Sequence, residues 1–383
     1  MVRAIGIDSG TKTMDIYGFD DEDGKVLIDL AIPRDEITKK PSLLIEKLNE
    51  TQKNAGFIDA ILGPSGYGLP LQRARDASDE DIALATFVTE ADVKKRLKIV
   101  GLREAMQTMK HAEDLEVWFT PSVVQLKTVP KYRKANRIDM GTSDKVLSAV
   151  LAVKNQAERL KIRYDETNFV LLEIGFAYTS ALAIRNGQIV DAMAGTAGFP
   201  SYLGMGFVDS ELAYALANTV TDFSKLMLFD GGCASVAGID SSRPLDEFVN
   251  AAKSSEKAKA GYDLMLESIV KDVASLLPAV KPKEVLLSGR FVNVQQFLDA
   301  TKAKLQSFFS EIGSQVDVVK FQGEAKVTKQ AAEGAAVFAN GIAHGKFEEI
   351  VRVMQLRKSE GTIFDNLYLG ETVKKGLDVF KKP

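Results

Sequence analysis

Twice in this chain a short apolar segment ends in an acid, one further residue and a glycine, and then turns back on itself. Residues 4–8 lead into Asp8-Ser9-Gly10 before a second extended segment over 14–19, and residues 169–174 lead into Glu173-Ile174-Gly175 before another over 179–185. Turn chemistry follows each return, as Asp20-Asp21-Glu22-Asp23-Gly24 and as Asn186-Gly187, and opens a third extended segment over 25–31 or up to 190. Glycine, asparagine and aspartate close such turns because they tolerate backbone angles that other residues resist. The pattern predicts two like antiparallel meanders, and hence a duplicated α/β fold of two lobes. At 383 residues the chain also exceeds what one hydrophobic core usually serves.

Helical periodicity fills the intervals. Residues 42–55 and 79–112 carry apolar side chains at three- and four-residue spacing, while 60–62 and 116–119 read as short strands. Ser143 is placed to cap a long helix in which Val146, Leu147, Val150, Leu151, Ala157 and Leu160 recur. Further helices are predicted over 209–218, 244–252 and 256–277, a strand, loop and helix over 284–309, a strand over 316–321 and a helix over 329–343. The expected division is lobe I over 1–145, lobe II over 146–343, and a helical, basic tail over 344–383 that packs back on lobe I.

Composition removes several classes of function. Hydrophobic residues make up 45% of the chain and charged residues 26%, the balance of a globular protein. With 49 basic against 52 acidic residues the formal charge is -3, too little field to hold a nucleic-acid backbone, so no nucleic-acid partner is expected. Cys233 is the only cysteine, which excludes an internal disulfide and a multi-cysteine zinc site, fits a reducing cytoplasmic compartment and reads as a buried free thiol. His111 and His344 are too few for a histidine-based metal centre. The first residues lack the pattern of a signal peptide, and no apolar run reaches the roughly 20 residues that span a bilayer, so no membrane partner is expected. A homodimer stays open.

A polyphosphate needs several backbone N–H donors aimed into one small volume, and a tight glycine turn supplies them. Gly10 and Gly175 meet that need, the hydroxyls of Thr11 and Thr179 follow, and Lys12 adds a positive charge. Magnesium prefers oxygen ligands and keeps several waters, so the strand-end carboxylates Asp8 and Glu173 are its candidates. The expected cofactors are ATP and Mg2+, clamped by two facing turns. Either acid alone also serves as a plain strand end that accepts turn hydrogen bonds.

In chain order, Gly6-Ile7-Asp8-Ser9-Gly10-Thr11, Leu172-Glu173-Ile174-Gly175 with Thr179, and Leu286-Leu287-Ser288-Gly289 resemble the first phosphate, second phosphate and adenosine motifs of the acetate and sugar kinase, actin and chaperone superfamily. The resemblance covers nearly the whole chain and implies two ribonuclease H-like lobes with ATP in the cleft, Gly289 and Arg290 lying beside the adenosine. Within that superfamily, Gly63-Pro64-Ser65-Gly66-Tyr67-Gly68-Leu69-Pro70, Ile138-Asp139-Met140-Gly141-Thr142-Ser143-Asp144-Lys145 and Gly198-Phe199-Pro200 are similar to segments of an archaeal family of predicted butyrate kinases. The chain departs from the superfamily pattern in having Glu173 for an aspartate and Arg290 for a second glycine, and neither histidine falls in an acyl-kinase motif.

Two acceptor chemistries follow. A carboxylate acceptor is already ionised and needs only cations, for which Arg73, Arg75, Arg133 and Arg137 are available; Arg133 and Arg137 gain weight by preceding the 139–145 segment. A hydroxyl acceptor needs a base, and Asp144 or Asp139 at the head of the long helix is placed for it. Gly66 and Tyr67 in the glycine-rich loop, and Gly198 after the second meander, are the acceptor-side candidates. The leading expectation is an ATP-dependent phosphotransferase acting on a small molecule such as a short-chain carboxylate. An actin-like or activator-type ATPase, or a nucleotide-binding protein without transfer, is the alternative.

Overall fold

The computed structural model describes residues 1–10, 12–95, 100–221 and 223–382 and divides into two compact units. The first comprises residues 1–167, 186–190 and 322–383; the second comprises 168–185 and 191–321. The long helix Ser143–Leu160 and the helix Gln330–Ile342 both belong to the first unit, whereas the sequence reading drew its boundaries at 145 and 343.

In the first unit the strands β1 (Arg3–Ser9), β2 (Thr13–Asp20), β3 (Val26–Pro33), β4 (Ala60–Leu62), β5 (Gln72–Arg73) and β6 (Val117–Phe119) form one mixed sheet in the order β3-β2-β1-β4-β6-β5. The first three are antiparallel, as the meander predicts, and β4 then runs parallel to β1. Side chains alternate between faces along a strand, so Ile5, Ile7, Met14 and Ile16 enter a core with Ile37, Leu44, Leu48, Met106 and Phe119. Ala4, Gly6 and Asp8 are left for the opposite face.

That opposite face is covered by the helix Gln330–Ile342, in which every residue from Ala331 to Ile342 is buried. The approach is backbone to backbone. A Cβ at Gly6 would overlap the Ala336 amide nitrogen and the Ala332 carbonyl, and one at Gly334 would overlap the carbonyl of Leu147 in the long helix. Two glycines thus seat one small-residue helix against both β1 and the helix Ser143–Leu160.

The second sheet orders β7 (Asn168–Ile174), β8 (Thr179–Arg185), β9 (Gln188–Ala194), β10 (Glu284–Ser288) and β11 (Asp317–Lys320) as β11-β10-β7-β8-β9. β7 and β8 are antiparallel, while β10 is parallel to both β7 and β11. The helices Glu256–Leu276 and Gln295–Glu311 pack against it, beside an aromatic cluster in which the Tyr202 and Phe291 rings lie 5.1 Å apart and those of Phe291 and Phe297 4.9 Å apart. The fold is therefore α/β, with two mixed sheets flanked by helices. Among the described residues, no helix is long and apolar enough to cross a membrane.

Because the atoms met at Gly6 are two backbone atoms and the Cβ of Ala335, nothing there can yield by changing rotamer. Gly6→Ala should destabilise the protein by about 1–3 kcal/mol or more in urea unfolding. Gly370→Ala, where nothing lies within 4 Å, is the matched control. Equal midpoints for the two variants would refute backbone-level packing at Gly6.

Candidate functional site

The antiparallel register sets Asp8 directly opposite Asp15, on the face shared with Gly6. Both residues are buried. Lys329, the residue that heads the helix Gln330–Ile342, reaches them both: its Nζ lies 3.2 Å from Asp8 Oδ2 and 3.3 Å from Asp15 Oδ2. Its backbone N–H also donates to Asp15 Oδ2 at 3.2 Å. The second oxygen of each aspartate, Oδ1, is buried without a hydrogen-bond partner.

The segment that carries Lys329 is pinned from two sides. Asp29 of β3 accepts the N–H groups of Lys326, Val327 and Thr328 at 2.7, 3.0 and 2.9 Å. Glu333, one turn into the helix, accepts those of Glu324 and Ala325 at 2.8 and 3.1 Å. Charge-assisted bonds to backbone N–H are among the stronger hydrogen bonds, so the Lys329 backbone is fixed although its side chain is 32% exposed. Gly10 lies against the end of that side chain, for a Cβ there would overlap Lys329 Nζ.

The head of the long helix contributes Asp144 and Lys145. Asp144 accepts from the hydroxyl of Thr142, the N-cap residue, and from Lys145 Nζ at 2.7 Å. The glycine-rich loop docks here, since the Ser143 N–H donates to the Gly66 carbonyl at 2.9 Å. The loop is tucked inward. Gly66 and Gly68 have φ of 53° and 80°, a Cβ on either would strike backbone of Ala85 or Ser122, and the Tyr67 N–H donates to Ala85 O at 2.8 Å. Arg34, itself buried, donates to Ser9 Oγ at 2.7 Å.

The acids of this group titrate apart. Burial pushes Asp8 up to about 6 against the pull of Lys329, with Asp144 and Asp15 pushing the same way as burial. Asp144 also suffers from burial, but Lys145 and the Thr142 hydroxyl outweigh it and hold the carboxyl below its ordinary value.

Thr11 lies outside the described residues. Lys12 is exposed and its carbonyl accepts from the Arg34 N–H at 2.9 Å, whereas the ammonium on Asp8 comes from Lys329. Asp139 is buried and accepts from the Gly141 N–H at 2.9 Å, and Arg133 donates to the Val190 carbonyl at 2.7 Å. Arg73 and Arg75 pair with Glu116. In the second unit Glu173 sits between Ser180 of β8 and Ser288 of β10, and Thr179 is paired with Ile174. Gly289, at φ 95°, packs on the Ile174 backbone, so β7 and β10 bring the Glu173-Ile174-Gly175 turn beside Gly289 and Arg290. Gly10 and Gly175 are themselves not left-handed, contrary to the expectation for turn glycines. Close approach explains them: a Cβ at Gly175 would stand 2.7 Å from the Tyr178 carbonyl oxygen. Cys233 is a buried free thiol, which burial pushes up to about 12.

Asp15, Lys329 and Asp272 escaped the sequence reading. Asp272, in the helix Glu256–Leu276, is fully buried and accepts the Phe199 N–H at 3.0 Å through Oδ1, holding Gly198-Phe199-Pro200 in place. Its Oδ2 has no partner.

Among the described residues, no three or more His, Cys, Asp or Glu side chains are grouped to hold a metal. The facing carboxylates of Asp8 and Asp15, each with one buried oxygen that has no hydrogen-bond partner, nevertheless fit an ion that takes one or two carboxylates and completes its shell with water and phosphate, as magnesium does.

A family model described as protein of unknown function (DUF1464) matches residues 6–369. Among curated proteins no sequence match was found. The fold is similar to that of a propionate kinase from Francisella tularensis, with TM-score 0.61 and 15% identity over 87% of this chain and 99% of that one. It is also similar to an acetate kinase from Porphyromonas gingivalis, at 0.58 and 15% over 88% and 99%, and to one from Entamoeba histolytica, at 0.55 and 13% over 81% and 87%.

Burial pushes Asp272 from 3.8 up to about 7, only partly offset by the Phe199 N–H. The native state therefore binds a proton at Asp272 that the unfolded chain has released across that window, and this group's contribution to stability falls as pH rises through it. Asp272 should thus contribute a decline in melting temperature from pH 3.8 toward about 7. Asp272→Asn should flatten part of that decline, and a variant with the wild-type slope would show that Asp272 is not the group involved.

Proposed function

We propose that this chain, which belongs to the DUF1464 family of proteins of unknown function, is an ATP- and magnesium-dependent phosphotransferase whose acceptor is a small molecule of the short-chain carboxylate class. The observation that carries the reading is the cluster of Asp8, Asp15 and Asp144 with Lys329 and Lys145 at one end of β1, on a fold shared with acetate and propionate kinases. The motif resemblance to archaeal predicted butyrate kinases points to the same acceptor class.

Asp8 and Asp15 would hold magnesium through their facing carboxylates, and the ion would neutralise charge on the phosphates. Lys329 and Lys145 supply positive charge where negative charge builds on the group in transit. Gly10 gives the Lys329 ammonium room beside the strand end. The second unit's Gly175, Thr179, Gly289 and Arg290 are assigned to nucleotide contacts, and Gly66 and Tyr67, docked at Ser143, to the acceptor side.

The protonation states favour a carboxylate over an alcohol. A hydroxyl must surrender a proton to a base tuned near the working pH; Asp8, pushed up to about 6, is given to magnesium on this reading, and Asp144 is held below its ordinary value by Lys145 and Thr142 and is a weak proton acceptor. A carboxylate brings no proton to remove, so this same ion pair suits it.

Acceptor-dependent ADP release across a panel of short carboxylic acids and alcohols tests the reading. Release should appear with an acid, and Asp8→Ala and Asp144→Ala should each lower it by roughly 100-fold or more. Hydrolysis indifferent to every acceptor would instead identify a regulatory ATPase.

A further inference from the structure

We infer that the Asp8–Asp15 pair is a cation seat with a tethered occupant: the Lys329 ammonium holds it, and a divalent ion takes it only when that ammonium leaves. The inference rests on the reading of Asp8 as a metal-side carboxylate and adds Asp15 and Lys329 to it.

Lys329 Nζ stands 3.2 and 3.3 Å from one oxygen of each aspartate, the bridging position a small cation shared by two carboxylates would take. Two buried carboxylates facing each other repel strongly unless a cation lies between them, and here the lysine performs that duty. A divalent ion on the same two oxygens would meet the ammonium at close range, so the two occupants exclude one another. Entry from the other side is closed, because both Oδ1 atoms are buried.

The geometry also lets the occupant move without unseating its segment. The Lys329 backbone stays fastened through its N–H to Asp15 and through the three N–H bonds of residues 326–328 to Asp29. Only the side chain, 32% exposed against 3% and 2% for the two aspartates, has a way out. Withdrawal leaves the ammonium in need of an anion, and a phosphate delivered together with the ion supplies one. The free ion alone supplies none, so the seat admits a divalent cation as a phosphate complex in preference to the bare ion.

The test uses the full chain with manganese and no nucleotide or acceptor, so its outcome is independent of whether phosphoryl transfer occurs. Manganese binding is followed by electron paramagnetic resonance, and melting is recorded with and without magnesium. Lys329→Met should bind manganese at least about tenfold more tightly than wild type. Its melting temperature should rise with magnesium where the wild type's does not. Lys329→Arg, which keeps the charge, and Lys326→Met, an exposed neighbour, should behave as wild type. Adding Asp15→Asn to Lys329→Met should abolish the gain. For a Lys329→Met preparation that folds poorly in chelator, recovery on adding magnesium is the expected result and no recovery overturns the proposal. Wild-type affinity in Lys329→Met, or a gain that survives Asp15→Asn, would also overturn it.

Discussion

The first unit depends on one close contact, the passage of the helix Gln330–Ile342 across β1 with only hydrogen at Gly6 between the two backbones. A side chain there would hold the helix off by several ångströms, since packed interiors adjust only slightly. The same helix meets the long helix Ser143–Leu160 at Gly334. Its N-terminal residue is thereby carried to the end of β1, where the hairpin has already set Asp8 against Asp15. Lys329 reaches the two acids because small residues, Ala331, Ala332, Ala335 and Ala336, let the whole helix sink to that depth.

Much of this was legible in the sequence, and the part that was not has a physical cause. Both meanders were readable because strand alternation and turn residues are local signals, and the strands at 3–9, 13–20, 168–174 and 179–185 fall where expected. Asp15 was within reach of the same reasoning, since an antiparallel return that pairs residue 9 with residue 14 sets 8 opposite 15. Lys329 was not, because its approach to Asp8 joins residues 321 positions apart through a packing contact that no local pattern encodes. Its signal was compositional: a lysine directly before a helix of alanines and glycines. The glycine-rich loop was recognised by motif, but its inward tuck depends on Ala85 and Ser122, which are remote in sequence. The arginines proposed as cations, Arg73 and Arg75, are engaged by Glu116, which only coordinates reveal.

Charge balance separates the two units more sharply than their shared topology suggests. Around the end of β1, the carboxylates of Asp8, Asp15 and Asp144 stand with Lys329, Lys145 and buried Arg34, so a low-dielectric site carries opposite charges in near balance. That balance is poised. A carboxyl pushed up to about 6 by burial while touching an ammonium is a group whose ionic state follows small changes in what faces it, and an arriving anion or cation is such a change. At the equivalent strand end of the second unit, the residues flanking Glu173 across the sheet are Ser180 and Ser288, hydroxyls without charge, and the glycine that follows β10 lies directly on the β7 backbone. Such a turn offers backbone and hydroxyl groups at a fixed spacing, the means of holding a ligand. Neither residue paired with Glu173 across the sheet carries a charge, whereas Asp8 is paired with a second carboxylate. The two like meanders therefore differ in what they set opposite their acids, Asp15 across from Asp8 and Ser180 across from Glu173. On the proposed reading, this is why the chemistry belongs to the end of β1, and why Glu173 can depart from the usual aspartate without disturbing it.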